Sequence, residues 1–263
     1  MSAKIHPTAI VAAGARIPAS ATIGPYSTVG ENVVLGERVE LVSHVVLDGH
    51  TKIADDVRLY SFACIGISPQ DLKYKGEPTR VEIGERTQIR EYVTVSRGTV
   101  GGGGLTRVGA DCLIMAYVHI GHDSIVGNGC ILPNGATLAG HVTVEDYAVL
   151  SANAPVHQYC TIGRYAYLGG GTTITQDVLP YSLTSQRREN RAFGLNKVGL
   201  ERRGFTPEEI RQIRSAYRLL QGSKLNTTQA VEAIREKVAS GEFGEKAAYL
   251  AEFIARSERG VIK

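Results

Sequence analysis

A six-residue spacing of aliphatic side chains constrains the fold of this chain more than any other feature. Counting in sixes from Ile5 gives Ile, Val or Leu at every step to Ile65, at every step from Ile83 to Val95, and at every step from Val108 to Ile174. The residue two positions before each of them is always Ala, Ser, Thr, Val or Cys. A period of six fits neither a helix of 3.6 residues per turn nor a long alternating strand. It predicts short strands that each end at a corner.

Side chains alternate along a strand, so the aliphatic residue and the small residue two positions earlier share the inward face. Three such strands close a triangular coil of about 18 residues, and successive coils stack at about 4.8 Å. The glycines that often follow the aliphatic residue, as at Gly24 and Gly121, are expected to accommodate the corner torsions. The prediction is an all-β solenoid, a parallel β-helix of hexapeptide repeats. Known proteins with this repeat coil left-handed, against the usual right-handed crossover rule, so a left-handed helix is expected.

Two insertions and a helical C-terminal region complete the predicted organisation. Loops at 66–82 and 96–107 interrupt the repeat, and their length makes them candidates for function. The second loop contains Gly101–Gly104, which we interpret as a flexible loop because no Gly-Lys-Ser/Thr motif follows. After Ile174 the repeat stops, and Thr206-Pro207 begins a helix with an N-cap and a first-position proline. We predict a β-helix domain over 1–184 and an α-helical domain over 185–263 that caps its open edge.

Composition and charge narrow the class of protein. A formal charge of +3 does not indicate a nucleic-acid-binding protein. No stretch of about 18 uncharged apolar residues predicts a membrane span, and the N-terminal segment lacks the pattern of a signal peptide. Cys64, Cys112, Cys130 and Cys160 are widely separated, and the last three occupy inward repeat positions. They are therefore expected to be reduced, buried thiols of a cytoplasmic protein.

Four histidines fall on the outward side of the predicted β-helix. His119 and His122 flank the inward Ile120, His141 follows His122 by one coil and one position, and His157 lies one coil further on. Such a cluster could bind zinc or supply a general base with an ordinary pKa near 6.5. Zinc hexapeptide enzymes of the γ-carbonic anhydrase type use an H-x4-H pair, whereas the pair here is H-x2-H. No serine or cysteine is placed as a covalent nucleophile, so direct transfer to a bound hydroxyl is simpler. Neither a metal nor another cofactor is expected.

Several longer motifs resemble one enzyme family. They are, in chain order, SHVVLDGHTKI, QDLKYKGEPTRVEIG, RGTVGGGGLT, HIGHDSIVGNGCIL, NGATLAGHVTVEDYAVL, VHQYCTIG and GLERRGF. They closely resemble the UDP-N-acetylglucosamine O-acyltransferases, and the resemblance covers nearly the whole chain. It implies transfer of an (R)-3-hydroxyacyl chain from acyl carrier protein to the 3-hydroxyl of UDP-N-acetylglucosamine, the first step of lipid A biosynthesis. It also implies a homotrimer with active sites between subunits.

The resemblance implies roles for individual residues as well. His122 would be the general base, Asp123 its orienting partner, and Gly140 the backbone N–H donor to the oxyanion. The matching substrate-binding positions are Gln70, Asp71, Lys73, His119, His141, His157, Gln158, Gly170, Asn196, Arg202 and Arg203. The first three would bind the sugar and the acyl chain, and the next four would line the same cleft and hold sugar and nucleotide. Gly170 would leave room for a longer acyl chain, and the last three would bind the uridine diphosphate.

The chain departs from the family pattern at a few positions, and alternatives stay open. Ser96 stands where the family often has histidine, Val198 replaces a usual acidic residue, and SQRRENRAFG replaces a shorter glycine-asparagine loop. The acceptor could instead be a 3-amino UDP-sugar, and a zinc enzyme of the γ-carbonic anhydrase type is the other alternative. A basic region around the cap is expected to be mostly solvated surface, with the hypothesis that some of its residues dock the acidic carrier protein. Its members are Arg187, Arg188, Arg191, Lys197, Arg202, Arg203, Arg211, Arg214 and Arg218.

Overall fold

Short parallel strands make up most of the chain. The structure, a computed structural model, describes residues 3–186, 190–222 and 224–262. In chain order the strands are β1 (Lys4–Ile5), β2 (Ile10–Val11), β3 (Thr22–Ile23), β4 (Thr28–Val29), β5 (Val34–Leu35), β6 (Glu40–Leu41), β7 (Val46–Leu47), β8 (His50–Ile53), β9 (Arg58–Leu59), β10 (Cys64–Ile67), β11 (Arg80–Ile83), β12 (Gln88–Ile89), β13 (Thr94–Ser96), β14 (Leu105–Val108), β15 (Leu113–Ile114), β16 (His119–Ile120), β17 (Ile125–Val126), β18 (Ile131–Leu132), β19 (Thr137–Leu138), β20 (Thr143–Val144), β21 (Pro155–Val156), β22 (Thr161–Ile162), β23 (Tyr167–Leu168), β24 (Asp177–Val178), β25 (Ser182–Gln186), β26 (Asn190–Leu195) and β27 (Val261–Ile262). A 3-10 turn spans Val100–Gly102, and the helices are α1 (Lys197–Arg202), α2 (Pro207–Gln221), α3 (Thr227–Ala239) and α4 (Glu245–Arg256).

Three long sheets form the faces of a prism. The first runs β1-β3-β6-β9-β12-β15-β18, the second β2-β4-β7-β10-β13-β16-β19-β21, and the third from β5 to β24 and β27. Paired strands are parallel, and a regular coil separates partners by 18 residues, as in Lys4 with Thr22 and Thr28 with Val46. The chain is a left-handed parallel β-helix followed by helices, as the repeat and its known relatives predicted.

The predicted inward positions form the core. From Ile23 to Ile174 the aliphatic residues of the repeat are no more than 5% exposed, whereas Ile5 at the open end is 45% exposed. Cys112 and Cys130 are buried one coil apart next to the first sheet, Cys160 is buried next to the third, and all four cysteines are free. Burial raises the pKa of the Cys160 thiol to about 11, so this thiol stays protonated at neutral pH. The cysteines therefore serve packing.

The corners correct our prediction for the glycines that follow the aliphatic residues. Left-handed torsions fall mainly on other residues, including Tyr26, Asp123 and His141, with φ of 57°, 59° and 62°. Gly24 has no such torsion, but a Cβ added to it would lie 1.8 Å from the carbonyl oxygen of Val42 in the next coil. These glycines are needed for close approach between coils. The corner torsions are left to larger side chains, which project outward and are available for chemistry.

The C-terminal region contains more strand than the sequence predicted. β25 pairs antiparallel with β26 and lies across the boundary predicted between 184 and 185, so the two-domain division stays a proposal. The helices pack around a second core that includes Tyr181, Tyr217 and Phe253. β27 returns to pair with β24 and covers the edge of the third sheet. Within the described ranges, no helix is long and apolar enough to cross a membrane.

Glu145 connects the helical region to the β-helix. The Tyr249 hydroxyl and the Arg256 guanidinium donate hydrogen bonds to its carboxylate. The backbone N–H of Arg164 donates to the same carboxylate at 3.0 Å. The Glu145 side chain is only 14% exposed, so these donors replace water around a charged group.

We expect Glu145→Ala to lower the free energy of unfolding by about 2 kcal/mol, because it leaves three donors without their shared acceptor. Urea denaturation at a fixed protein concentration measures the loss. The matched control is Glu85→Ala, which removes a pair with Arg86 whose side chains are 56% and 52% exposed. That change should cost less than about 0.5 kcal/mol. Equal losses in the two variants would contradict the connecting role of Glu145.

Candidate active site

A hydrogen-bonded histidine and aspartate occupy the corner between the second and third sheets. His122 and Asp123 lie between β16 and β17, and the left-handed torsion of Asp123 turns its side chain back toward His122. Nδ1 of His122 lies 2.8 Å from Oδ2 of Asp123, whose side chain is fully buried. A carboxylate only accepts hydrogen bonds, so this contact places the imidazole proton on Nδ1. The Nε2 lone pair is then free to accept a proton.

His141 lies one rung above, where the coil spacing predicted it. Its backbone N–H donates to the carbonyl oxygen of His122 at 2.9 Å. The two rings meet edge to face with centroids 5.0 Å apart, and Nε2 of His141 is 3.9 Å from Oδ2 of Asp123. On its other side, His141 stacks on Tyr159 with centroids 4.5 Å apart. Stacking and backbone pairing together hold His141 in place beside the first histidine.

Gly140 lies against the free nitrogen of His122. A Cβ added at Gly140 would be 2.7 Å from Nε2 and 2.6 Å from Cε1, so only glycine leaves room for the imidazole. Among the residues that the structure describes, no acceptor takes the Gly140 N–H in a hydrogen bond. The site therefore presents a proton acceptor and an unused backbone donor side by side.

His119 is half-buried beside His122 and contacts the neighbouring coil. Its Nδ1 lies 2.8 Å from the Thr94 hydroxyl on the rung below. Burial lowers the pKa of the His119 imidazole below its ordinary value, and the neighbouring His122 lowers it further. A histidine with a lowered pKa is uncharged at neutral pH, so His119 can donate or accept a hydrogen bond but does not add positive charge.

A cavity of about 290 Å³ opens beside His141 and Tyr159. Asp71 and Lys73 from the first inserted segment line it, together with Thr99 and Val100 from the second. The structure thus brings two of the predicted substrate-binding residues of the first segment to the histidine cluster. The others predicted nearby, Gln70, His157 and Gln158, are exposed and lie outside the lining of this cavity.

The second inserted segment corrects our interpretation of the glycine run as a flexible loop. Val100–Gly102 forms a 3-10 turn, and the Gly104 N–H donates to the Thr99 carbonyl oxygen at 2.8 Å. Both the N–H and the hydroxyl of Thr99 donate to the carboxylate of Asp123. Thr99 matches no catalytic motif, so it was not predicted as a site residue. Ser96, one of the departures from the family, is buried, and its hydroxyl has no partner in the described part of the chain.

The remaining predicted residues lie on another face. A second cavity of about 570 Å³ is lined by Asn196, Arg202 and Arg203, and by the exposed departure Val198. Its apolar wall is Ile131, Val149, Tyr167 and Leu183. Ile131 belongs to the first sheet, opposite the corner that holds His122. Gly170 is exposed and lines neither cavity.

Two of the residues at the second cavity already have partners within the chain. The Asn196 amide accepts from the Gly199 N–H and donates to the Tyr165 carbonyl oxygen, each at 3.1 Å. The Arg203 guanidinium lies 4.6 Å above the centre of the Tyr147 ring. One chain therefore holds the residues assigned to the nucleotide rigidly, but away from the histidines.

The zinc alternative can be compared with the geometry of the cluster. His122, Asp123 and His141 place one possible ligand atom each within 4.8 Å of one another. Ligand atoms around a tetrahedral zinc ion lie about 3.3 Å apart. The His122 and Asp123 atoms are 2.8 Å apart, which is a hydrogen-bond distance. An ion could bind both only by breaking that bond, so the arrangement fits a base and its partner better than a metal site.

Comparison with known proteins agrees with the motifs. Residues 177–262 match the family model of the second domain of UDP-N-acetylglucosamine O-acyltransferase, and residues 105–140 match the bacterial transferase hexapeptide model. The Francisella novicida UDP-N-acetylglucosamine acyltransferase is 40% identical, with 98% of this chain and 93% of that chain covered and a TM-score of 0.94. The enzyme of Moraxella catarrhalis is 40% identical, with 98% and 99% covered and a TM-score of 0.92.

A plant enzyme shows how far the similarity extends. The Arabidopsis UDP-N-acetylglucosamine acyltransferase is 30% identical, with 98% of this chain and 100% of that chain covered and a TM-score of 0.84. Near-complete coverage at these identities includes both inserted segments and the C-terminal helices. The chain belongs to the UDP-N-acetylglucosamine acyltransferase family.

Proposed function

We propose that this chain transfers an (R)-3-hydroxyacyl group from acyl carrier protein to the 3-hydroxyl of UDP-N-acetylglucosamine, the first step of lipid A biosynthesis, in the cytoplasm. The observation that carries the proposal is the pairing of a free imidazole nitrogen with an unused backbone N–H. Nε2 of His122 and the Gly140 backbone are in contact, and the buried Asp123 holds the ring from the other side. Acyl transfer to a hydroxyl requires this combination of a base and an oxyanion donor.

The mechanism follows from the positions of the two groups. Nε2 of His122 takes the proton of the sugar hydroxyl as its oxygen attacks the thioester carbonyl. The carbonyl oxygen becomes an oxyanion and accepts the Gly140 N–H, which is worth about 3 kcal/mol for one such donor. The tetrahedral intermediate then collapses, the carbon–sulfur bond breaks, and the imidazolium returns its proton to the departing thiolate. Asp123 stabilises the transient positive charge of the imidazolium.

The first cavity is suited to the sugar and the start of the acyl chain. Asp71 and Lys73 offer an acceptor and a donor opposite His141, which matches a ligand with several hydroxyl groups. The second cavity combines an apolar wall with Arg202 and Arg203 at its rim, which suits a diphosphate beside a flat base.

We also propose a homotrimer in which each active site lies between two chains. The split of the substrate-binding residues between two faces supports this, because neither cavity alone carries the whole set. Leu72, in the first inserted segment, is 96% exposed, as expected of an apolar residue that a neighbouring chain or an acyl chain would cover. In a cyclic trimer, the corner of one chain faces a different surface of the next.

The carrier protein would dock on the basic surface of the helical region. Arg211, Arg214 and Arg218 are exposed on α2 at spacings of three and four residues, so they share one face of that helix. Arg187 and Arg188, which the sequence analysis placed in this region, lie outside the described residues, and the side chain of Arg191 is likewise not described. An acidic carrier would be attracted by such a surface, more strongly at low salt.

The expected reaction releases one free thiol of the carrier for each acceptor consumed, and a thiol reagent follows it continuously. We expect release from (R)-3-hydroxyacyl carrier protein only when UDP-N-acetylglucosamine is present, at a rate that a chelator does not change. The KM for the carrier should rise with salt. Release without the sugar nucleotide, or a loss of activity with chelator, contradicts the proposed reaction. Preference for a 3-amino UDP-sugar by more than about tenfold in kcat/KM contradicts the acceptor.

A further inference from the structure

The carboxylate of Asp123 receives more hydrogen bonds than its role beside His122 accounts for. The Thr99 N–H donates to Oδ1 at 2.8 Å, and the Thr99 hydroxyl donates to Oδ2 at 2.6 Å. Oδ2 is also the oxygen that His122 contacts. The backbone N–H of Asp123 in turn donates to the Thr106 hydroxyl at 2.8 Å, so both ends of the second inserted segment contact this residue.

The glycines of this segment are placed where a side chain would displace the carboxylate or the segment itself. A Cβ added at Gly102 would lie 2.0 Å from Cγ of Asp123. A Cβ added at Gly98 would lie 2.2 Å from the backbone nitrogen of Leu105, where the segment crosses itself. The run of glycines lets backbone cover a buried charged group, which no larger residue at Gly102 would allow.

The Thr99 hydroxyl has no local structural duty that would explain its position. Thr99 occupies the N-cap position of the 3-10 turn, yet its side chain makes no capping hydrogen bond. The residue is 8% exposed, and its hydroxyl points to Oδ2 of Asp123 instead. Hydrogen bonds to an ionised group are about twice as strong as neutral ones and fix its orientation more tightly.

We propose that Thr99 is a positioning residue for the acyl transfer, and that the segment 98–104 holds the Asp123 carboxylate in the orientation that directs Nε2 of His122 at the acceptor hydroxyl. The proposal rests on the proposed function, since it acts through His122 and Asp123. Thr99 donates hydrogen bonds to both carboxylate oxygens and so fixes the orientation of the carboxylate. Oδ2 is then held where it accepts the hydrogen bond from the Nδ1–H of His122. His141 is the other titratable group facing Asp123, at 3.9 Å, and it is held by its stack on Tyr159.

Kinetics of Thr99→Val and Thr99→Ser test this inference. Valine keeps the shape of the side chain and the backbone donor but loses the hydroxyl bond, so we expect kcat to fall about tenfold. The KM values should change less than about twofold, because the hydroxyl that is removed bonds Asp123 while the rest of the side chain keeps its place in the cavity wall. Serine restores the hydroxyl and should recover kcat to within about threefold. The matched control is Thr87→Val, a buried threonine of the same solenoid that bonds Gly109 and Cys112 backbone. It should lower the denaturation midpoint and leave kcat unchanged.

The same substitutions in an Asp123→Ala background separate positioning from a general loss of structure. Without the carboxylate, Thr99→Val and Gly102→Ala should each change kcat by less than about twofold, although Gly102→Ala alone should lower it at least tenfold. Equal effects of Thr99→Val in both backgrounds, or failure of serine to restore kcat, would overturn the inference. If Asp123→Ala itself keeps normal kcat, the carboxylate does not position His122 and the inference fails, whereas a parent enzyme that transfers no acyl group would refute the proposed function instead.

Discussion

His122→Ala is expected to lower kcat about 10³-fold, with KM values for the sugar nucleotide and the acyl carrier changed less than about threefold. Positioned general-base catalysis contributes about 10² to 10⁴ in rate, and the imidazole of His122 lies against the Gly140 backbone. The loss falls on kcat because the proton moves only in the transition state. The oxyanion donor and substrate alignment would remain, so a low residual rate should persist.

Steady-state kinetics with both substrates varied measures this effect. His50→Ala is the matched control, because His50 is an exposed histidine of β8 on the same solenoid and touches neither cavity. It should retain wild-type kcat. Circular dichroism of both variants should match the parent, because removing the His122 ring deletes only a small buried contact. A His122→Ala enzyme within tenfold of the parent kcat contradicts the assignment of the base.

The repeat made most of the fold predictable, because each six-residue unit predicts one inward side chain and one corner. Once the inward residues from Ile5 to Ile174 are assigned in turn to three sheets, the coil length of 18 residues follows. The positions of His122 and His141 on neighbouring rungs then follow by counting. The C-terminal strands were not predictable in the same way. β27 pairs with β24 across more than 80 residues of chain, and two-residue strands carry no pattern of their own.

The contacts around His122 and Asp123 could not be predicted from the repeat. That Asp123 takes a left-handed torsion is a property of its coil position, while the sequence favoured glycine for such torsions. The contact of Thr99 and Gly102 with Asp123 depends on how an irregular segment folds back, and no periodicity encodes that path. The family resemblance supplied the site residues as one set, but a single chain separates them onto two faces. In the proposed trimer, a second chain would bring the two sets together.

The second large effect is the recovery of activity when the corner and the second cavity come from different chains. His122→Ala inactivates the corner, and the charge reversals Arg202→Glu and Arg203→Glu together should inactivate the second cavity by repelling a diphosphate. Each variant oligomer alone should have less than about 1% of parental activity. If each site takes its corner from one chain and its second cavity from the next, a mixed trimer contains intact sites. They form wherever an arginine-variant chain supplies the corner and a histidine-variant chain supplies the cavity.

The measurement is the activity of mixed oligomers, made by co-expressing the two variants with different affinity tags and purified on both. Every trimer that carries both variants contains one intact site among its three, so the doubly purified oligomers should recover about one third of parental activity. Co-purification of both tags controls for assembly. Recovery near this level, with product from UDP-N-acetylglucosamine and the acyl carrier, is the result that a shared site predicts. Mixed oligomers no more active than their two parent variants would contradict it.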